Sequence, residues 1–372
     1  MAARFCPPAH FAPMRPFVPT RPSLPEITSG LDLLRFPLIV GVVMVHCNFL
    51  QFLDPPLSGP ATAAFVRFHD IFKHYVLDLC VPAFFAISGF LFFRDGARLS
   101  ARDYTSKLRR RVRSLLVPYL LWNLIGFALF LVKHRAEQFD VLTLLAGFFC
   151  RLPADPFPYD FPLWFVRNLL IIAVFSPLLS ALLRLARGAA PLVPLALCVL
   201  SATVVPGHDR LALLPNVAFF TLGASLACYG RRLLAPRALP AWGVLYLAAA
   251  CACVAGGGHM APWEGHALWL LAATAGVATM LTAGIAAARG GRVRTPRFLA
   301  GATFFLYGFH GLFSVLTCRT VTRLLPPASN AACFADYALI FAVLFGVSML
   351  AYAAVRRMAP RLLPLLGCRM PA

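Results

Sequence analysis

Long apolar runs alternate with short polar segments along this chain, and the polar segments are rich in Lys and Arg. An α-helix needs about 20 apolar residues to cross the hydrocarbon core of a bilayer. The pattern therefore predicts an all-α polytopic membrane protein with about ten transmembrane helices. The predicted spans are 33–53, 75–93, 114–132, 164–183, 190–206, 213–229, 241–256, 267–288, 298–317 and 337–355. The fifth and seventh spans are the weakest predictions, so nine or eleven spans stay open.

The positions of the basic residues predict how the chain is oriented. When both termini are placed in the cytoplasm, the cytoplasmic segments hold about three times as many Lys and Arg residues as the outer loops. Because short cytoplasmic loops of membrane proteins are enriched in Lys and Arg, both termini are predicted to be cytoplasmic. The formal net charge of +20 then reflects mostly membrane topology, and no nucleic-acid partner is expected.

The overall composition agrees with a membrane protein. Hydrophobic residues make up 60% of the chain and charged residues 13%, which is more apolar surface than one water-soluble core can bury. The 11 cysteines are scattered and lack the spacings of a zinc site or a disulfide framework. They are interpreted as small hydrophobic side chains, and no metal site is predicted.

The sequence predicts three regions. Residues 1–27 are rich in Pro and Arg and have no sustained apolar stretch, which predicts a disordered cytoplasmic tail. Ser29 and Asp32 have the Ser-x-x-acid spacing of a helix start. A transmembrane domain is predicted over 28–358, followed by a short basic cytoplasmic tail over 359–372.

Two predicted outer loops are long enough to meet a polar acceptor molecule. They cover 54–74 and 133–163. The first combines acidic, basic and histidine side chains, and the second holds several acidic residues between prolines, among them Asp160.

The first predicted span contains Arg35 and His46 in an otherwise apolar stretch. Ionisable side chains inside lipid are energetically costly, so each requires a physical reason. The two residues are 11 positions apart, which is about three helical turns, so they share one helix face. Two simpler explanations stay open at this point. Arg35 can be a cation that reaches the interface and pairs with Asp32, and His46 can form an interhelical hydrogen bond.

Six short blocks follow one another along the chain. They are Arg35-x10-His46; Val81–Leu91, with Pro-x-Phe-Phe-x-x-Ser-Gly-Phe-Leu; a basic segment with Tyr104, Lys107, Arg111, Pro118, Tyr119, Trp122 and Asn123; Pro162–Leu169, with Leu-Trp-Phe-x-Arg; Phe219–Ala224; and Thr303–His310, with aromatic-Tyr-x-x-His. Together they resemble the membrane acyltransferase 3 family, the integral O-acyltransferases of bacterial surface carbohydrates. The chain departs from the family pattern at Asp78, where a basic residue is more frequent, and at Asn168, where Asp is frequent.

The resemblance implies an acyltransferase 3 transmembrane domain over 28–358, in the bacterial cytoplasmic membrane. Its implied reaction moves an acetyl or other short acyl group from an acyl-CoA donor, with acetyl-CoA favoured, to a hydroxyl of a cell-surface carbohydrate or lipid-linked glycan. Such transfer needs a base for the hydroxyl proton and groups that hold the donor phosphates. The implied catalytic residues are His46 and Arg35; the implied donor-binding residues are Arg35, Arg109, Arg111 and Arg113; and the implied pocket residues are Trp164, Arg167, Asn168, Tyr307 and His310.

Each of these assignments has a simpler alternative in the sequence. The arginines at 109–113 also satisfy the rule that basic residues are cytoplasmic, and Trp164 with Arg167 also fits an interfacial aromatic belt. Tyr307 and His310 lie one turn apart, where they either face His46 or form core hydrogen bonds. Cys47 leaves a covalent acyl-enzyme as a minor option.

A function of another class also stays open. In a secondary transporter or flippase for a lipid-linked sugar or small anion, the same intramembrane ionisable residues would line a substrate or proton pathway. A relative without catalytic activity is a third alternative.

Overall fold

The computed structural model describes residues 22–53, 59–133, 140–150, 157–204, 213–256, 260–291 and 293–368. Within these ranges the chain is helical and contains no β-strand. The α-helices are α1 Leu24–Val45, α2 Pro60–Phe72, α3 Cys80–Phe93, α4 Ala101–Arg111, α5 Val117–Lys133, α6 Val141–Ala146, α7 Trp164–Val174, α8 Ser176–Ala186, α9 Val193–Val204, α10 Leu213–Cys228, α11 Leu239–Gly256, α12 Pro262–Ala288, α13 Arg297–Leu324 and α14 Asn330–Met358. Short π-helical segments cover Lys73–Leu77 and Val112–Leu116, and the 3-10 turns are Leu50–Phe52, Phe161–Leu163, Arg187–Leu192, Arg231–Leu234, Pro236–Ala238, Arg289–Gly291 and Pro360–Leu362.

The prediction of an all-α polytopic membrane protein is confirmed. Among the described residues, 8 helical segments are long and apolar enough to cross a bilayer, and two shorter apolar helical segments accompany them. The eight are Leu24–Phe52, Pro60–Phe93, Ala101–Val132, Ser176–Thr203, Pro236–Gly256, Pro262–Ala288, Arg297–Leu324 and Asn330–Met358; the shorter two are Phe161–Val174 and Leu213–Cys228. The span number of ten and the cytoplasmic termini stay predictions.

The first helix begins earlier than predicted. Ser23 is its N-cap: the Ser23 hydroxyl accepts a hydrogen bond from the Glu26 amide, and the Glu26 carboxylate accepts one from the Ser23 amide. This reciprocal capping box satisfies two amides that the helix leaves unpaired. The predicted start at Ser29 is therefore wrong, and so is the assignment of residues 24–27 to a tail. Residues 1–21 of that predicted tail lie outside the described part of the chain.

Two prolines break the helical hydrogen-bond ladder, and neighbouring hydroxyl groups compensate. Pro37, inside α1, cannot donate to the Leu33 carbonyl, which instead accepts from the Thr295 hydroxyl at 3.4 Å. Pro177 likewise leaves the Ala173 carbonyl without its helical donor, and the Ser176 hydroxyl donates to it at 2.8 Å. The second break divides the predicted continuous span 164–183 into α7 and α8.

The predicted outer loop 54–74 is wrong over most of its length, because it contains α2. Thr62, Phe65 and His69 are buried at helical spacing, so α2 has one face that packs against α14. The π-helical segment Lys73–Leu77 then joins α2 to α3 without a loop. Residues 54–58 lie outside the described ranges.

The C-terminal segment after α14 packs on the bundle as far as it is described. Leu363, Leu366 and Cys368 are buried, and the Leu366 carbonyl accepts a hydrogen bond from the Trp122 indole at 3.3 Å. The predicted tail 359–372 is therefore not a free tail up to residue 368. The proposed division into a domain and two tails is otherwise still a prediction.

Two glycines allow α3 and α10 to cross backbone to backbone. A Cβ atom at Gly89 of α3 would collide with the Phe220 carbonyl oxygen, and one at Gly223 of α10 would collide with the Ala86 carbonyl oxygen. Small residues let transmembrane helices approach backbone to backbone. The short helix α10 is consequently buried along most of its length, with α3 beside it.

We expect Gly89→Ala to lower the thermal stability of the purified protein in detergent. Because the added methyl group has no space, the cost is about 1–3 kcal/mol. Gly243→Ala is the matched control, since a Cβ atom at this glycine in α11 meets no atom within 4 Å. Equal melting temperatures for the two variants would show that the α3–α10 crossing tolerates a wider separation.

Candidate active site

His46 lies at the C-terminal end of α1, where the regular helix stops and its imidazole faces α13. Its Nδ1 is 2.8 Å from the Val42 carbonyl oxygen and 3.2 Å from Nε2 of His310. His310 is fully buried, and its own Nδ1 is 2.9 Å from the Leu306 carbonyl oxygen. The expectation that His310 faces His46 is confirmed, and the pair is also the interhelical hydrogen bond that the simpler explanation foresaw.

These contacts assign the tautomers of both rings. A carbonyl oxygen only accepts hydrogen bonds, so in the neutral rings Nδ1 of each histidine carries the proton. The Nδ1–H of His46 is then shared between the Val42 carbonyl and the lone pair of His310 Nε2. His46 Nε2 keeps its lone pair, and the His46 side chain is only half-buried. The imidazole therefore presents a base nitrogen of fixed orientation to the space beside it.

Neighbouring helices hold the end of α1 in place. The Met44 carbonyl accepts from the Tyr337 hydroxyl at 3.0 Å, and the His46 carbonyl accepts from the Cys318 thiol at 3.6 Å. The Met44 carbonyl also accepts from the Cys47 amide at 3.1 Å. Both carbonyls lie at a helix end, where the regular intrahelical hydrogen bonds stop. The ring of Phe161 packs edge-on against His46, with ring centroids 4.9 Å apart. The imidazole is thus positioned by α13, α14 and the turn before α7.

Cys47 points away from this space. Its thiol is fully buried and donates to the Val43 carbonyl at 3.3 Å.

Arg35 lies about 16 Å from His46 along α1, judged from the helical rise. It forms the expected ion pair with Asp32, with Nε 3.3 Å from Oδ1. Arg111 is within electrostatic range of Arg35, and one of its nitrogens is 3.4 Å from the Ser88 carbonyl oxygen. The Arg111 guanidinium also lies over the Phe92 ring, 5.8 Å from its centroid. Two half-buried cations are thus held near each other, which favours an anionic ligand.

The other two predicted donor-binding arginines occupy a different environment. Arg109 and Arg113 are exposed, on the opposite side of the segment from Arg111. The structure therefore brings only Arg111 to Arg35. The π-helical segment Val112–Leu116 begins directly after Arg111, and such segments are frequent at functional sites.

The predicted pocket residues cluster around the start of α7. Trp164 is half-buried at the first position of the helix, and the Arg167 guanidinium donates to the Asn168 side-chain oxygen at 3.0 Å and to the Phe149 carbonyl at 2.7 Å. Asn168, one of the two departures from the family pattern, is thus an acceptor for Arg167. The Tyr307 hydroxyl donates to the Pro162 carbonyl. This bond ties α13 to the turn that holds Phe161.

The second departure from the family pattern has a partner nearby. Asp78 pairs with Lys73 at 2.9 Å, because the π-helical segment Lys73–Leu77 brings residues five positions apart into contact. Both charges lie within electrostatic range of His46. Lys73 was not among the predicted site residues, and the acidic residue at 78 was the only signal for it in the sequence.

The comparisons with known proteins identify the family of this chain. Residues 28–355 match the model of a family described as an acyltransferase domain. The chain belongs to the acyltransferase 3 family. The match includes every site residue predicted from the sequence. Among the described residues of this family member, no group of three His, Cys, Asp or Glu side chains is arranged to hold a metal ion.

A curated relative of this family member is the succinoglycan biosynthesis protein ExoH of Rhizobium meliloti (strain 1021). The two sequences are 27% identical over 213 residues, which is 55% of this chain and 55% of ExoH. The chain thus spans about half the length of the curated relative it matches. No solved structure matches the chain.

Proposed function

We propose that this protein is an integral membrane acyltransferase that moves an acetyl or other short acyl group from acyl-CoA to a hydroxyl of a cell-surface carbohydrate. His46 is the general base. The observation that carries the proposal is the position of His46 Nδ1, which lies 2.8 Å from the Val42 carbonyl oxygen and 3.2 Å from His310 Nε2. These distances imply that the proton is on Nδ1 and that Nε2 is left as an acceptor. A neutral imidazole with a fixed, accessible lone pair is suited to take a proton from a hydroxyl group.

Acyl transfer consists of an addition to the thioester and the loss of the thiol. The acceptor hydroxyl oxygen attacks the thioester carbonyl carbon, and the hydroxyl proton passes to His46 Nε2. The bond between carbon and sulfur then breaks, and the thiolate leaves with the proton that His46 returns. The products are an ester on the acceptor and free coenzyme A. His310 supports the charged state of His46, because its Nε2 accepts a hydrogen bond that strengthens when the donor ring becomes cationic.

The donor phosphates are assigned to Arg35 and Arg111. Guanidinium groups pair with phosphate through two parallel hydrogen bonds and keep their charge when partly buried. An anion between these two cations also relieves their mutual repulsion. Arg109 and Arg113, which are exposed, would add a weaker attraction that salt screens. In the predicted orientation these arginines face the cytoplasm, where coenzyme A thioesters are made.

The acceptor class is supported by the family and by the name of the relative. ExoH is a succinoglycan biosynthesis protein, so an exopolysaccharide unit, O-antigen or similar lipid-linked glycan is the proposed acceptor. Trp164, Arg167, Asn168 and Tyr307 would shape the pocket for it. The proposed location is the bacterial cytoplasmic membrane, with donor and acceptor reaching the site from opposite sides.

We expect Arg111→Ala to raise the Kd for coenzyme A by about 10- to 100-fold. The variant loses charge-assisted hydrogen bonds, which contribute about 1.5–3 kcal/mol each. Titration calorimetry of the purified protein in detergent measures this directly. Arg102→Ala is the matched control, because Arg102 is an exposed arginine at the start of the same helix.

The same titration separates the proposal from a transporter. A secondary transporter or flippase has no use for a donor-phosphate site, so wild-type protein that fails to bind coenzyme A would favour the transporter. An unchanged affinity of Arg111→Ala for coenzyme A would show that the donor phosphates bind elsewhere.

A further inference from the structure

One buried carboxyl group near His46 has no role in the steps above. Asp160 is 1% exposed, and neither of its carboxyl oxygens has a hydrogen-bond partner among the described residues. Leaving a buried polar group without a partner destabilises a folded protein, so such a group calls for an explanation. Burial raises the pKa of the Asp160 carboxyl well above its usual range, which favours the neutral acid.

The backbone holds Asp160 in a fixed position. Its amide donates to the Asn123 side-chain oxygen at 3.2 Å, and its carbonyl accepts from the Leu163 amide at 3.0 Å. Glycines leave the space for it on two sides. A Cβ atom at Gly126 would lie 2.9 Å from the Asp160 amide nitrogen, and one at Gly311 would lie 2.6 Å from Oδ1. The Asp160 carboxyl group therefore packs directly against the backbone of α13.

Nearby hydroxyl groups do not satisfy this carboxyl. Tyr119 and Tyr307 both lie within electrostatic range of Asp160. Their hydroxyls donate instead to the carbonyls of Phe148 and Pro162. These two hydroxyls thus donate to backbone oxygens and leave the Asp160 carboxyl without a hydrogen bond from them.

Two neighbouring residues connect Asp160 with the pair of His46 and His310. Asp160 directly precedes Phe161, whose ring packs on His46, and it contacts the glycine that follows His310. Arg35, at the proposed donor-phosphate site, is about three helical turns away from His46. A carboxyl group at the base end of the site is therefore on the side of the acceptor. Hydroxyl groups of a carbohydrate donate to and accept from such a group.

We propose that Asp160 is a binding residue for the acceptor, and that it hydrogen-bonds a carbohydrate hydroxyl and so positions the neighbouring hydroxyl at His46 Nε2. The role rests on the proposed function, which names a carbohydrate as the acceptor. This role explains why the carboxyl is buried without a hydrogen-bond partner among the described residues, because the substrate hydroxyl is that partner.

The test compares binding, kinetics and stability in Asp160→Ala and Asp160→Asn. The probe is an oligosaccharide prepared from the host's surface polysaccharide after mild alkaline removal of its ester groups. Asp160→Ala is expected to raise the Kd and KM for this oligosaccharide about tenfold or more, and to change the KM for acetyl-CoA less than about twofold. Asp160→Asn, which keeps a donor and an acceptor, is expected to bind within about threefold of wild type.

Thermal stability distinguishes a binding role from a structural one. Because the carboxyl makes no hydrogen bond with any described residue, Asp160→Ala should melt no lower than wild type. Asp336→Asn is the matched control, since Asp336 of α14 is also buried and its Oδ2 has no hydrogen-bond partner in the described part of the chain. It should leave oligosaccharide binding unchanged.

Failure of the proposed role of Asp160 and failure of the proposed function give different results. Oligosaccharide affinity that is equal in wild type, Asp160→Ala and Asp160→Asn would overturn the role of Asp160, whatever the enzyme does. A lower melting temperature with equal losses for donor and acceptor would overturn it as well. Absence of acyl transfer by wild-type protein would instead overturn the proposed function, and the binding measurement would still decide on Asp160.

Discussion

Replacing His46 with alanine is expected to lower kcat for acyl transfer by about 10²- to 10⁴-fold, which is the usual contribution of a positioned general base. Donor binding should stay within about threefold of wild type, because Arg35 lies about three turns from His46 along α1 and Arg111, at the end of α4, is within electrostatic range of Arg35. The variant should also fold, since the contacts that fix the end of α1 are made by the backbone carbonyls of Met44 and His46. Release of free coenzyme A in the presence of acceptor measures the rate.

A second histidine supplies the control for this variant. His266 is exposed on α12 and stacks on Trp269, with ring centroids 6.3 Å apart. His266→Ala should therefore transfer the acyl group at the wild-type rate. If His46→Ala is as active as this control, the imidazole is not the base.

Replacing His310 with leucine is expected to lower kcat by about 10- to 100-fold without changing either KM by more than about twofold. Leucine cannot accept the hydrogen bond from His46 Nδ1–H, and a hydrogen bond to a charged group contributes about 1.5–3 kcal/mol. The loss appears in kcat because His46 is charged only while it holds the hydroxyl proton. His310 is thus a positioning residue, which acts through His46.

The glutamine variant shows whether acceptance of that hydrogen bond is the cause. A side-chain amide oxygen can accept from His46 Nδ1–H, so His310→Gln should recover part of the rate that His310→Leu loses. In the double variant with His46→Ala, the leucine substitution should cost almost nothing further, because the two residues act as one unit. Equal rates for the leucine and glutamine variants would assign His310 a packing role only.

The hydrophobic pattern located most helices because a bilayer demands long apolar runs. The pattern failed where one-sided burial, a proline or a helix cap determines the structure. Helix α2 was missed because only one of its faces is buried and polar residues interrupt its apolar pattern. The division between α7 and α8 depends on Pro177, which has no amide hydrogen to continue the hydrogen bonds of α7 and lies in the first turn of α8. The start of α1 depends on Ser23 and Glu26, which compete with a similar cap spacing at Ser29.

For the candidate site, the sequence predicted that His310 meets His46 but not the hydrogen bonds of the pair. It also grouped Arg109 and Arg113 with Arg111, although both are exposed and Arg111 is half-buried. Helical spacing predicted the depth of His310, which the contact with His46 confirms; the shared face of Arg35 and His46 stays a prediction. The tautomer of His46 follows only from the distances to Val42 and His310. Asp160 lies in a predicted loop. No local sequence pattern there indicates that Gly126 and Gly311 leave space for Asp160 in the protein interior.

The most direct test is the transfer of labelled acetyl from acetyl-CoA to surface polysaccharide in membrane vesicles from a host that lacks this protein. Vesicles with the wild-type protein should label the polysaccharide, and vesicles with an equal amount of the His46→Ala protein should not. Labelling by both proteins at one rate would contradict His46 as the base. Absence of label with the wild-type protein, in vesicles that supply both donor and acceptor, would contradict acyl transfer itself.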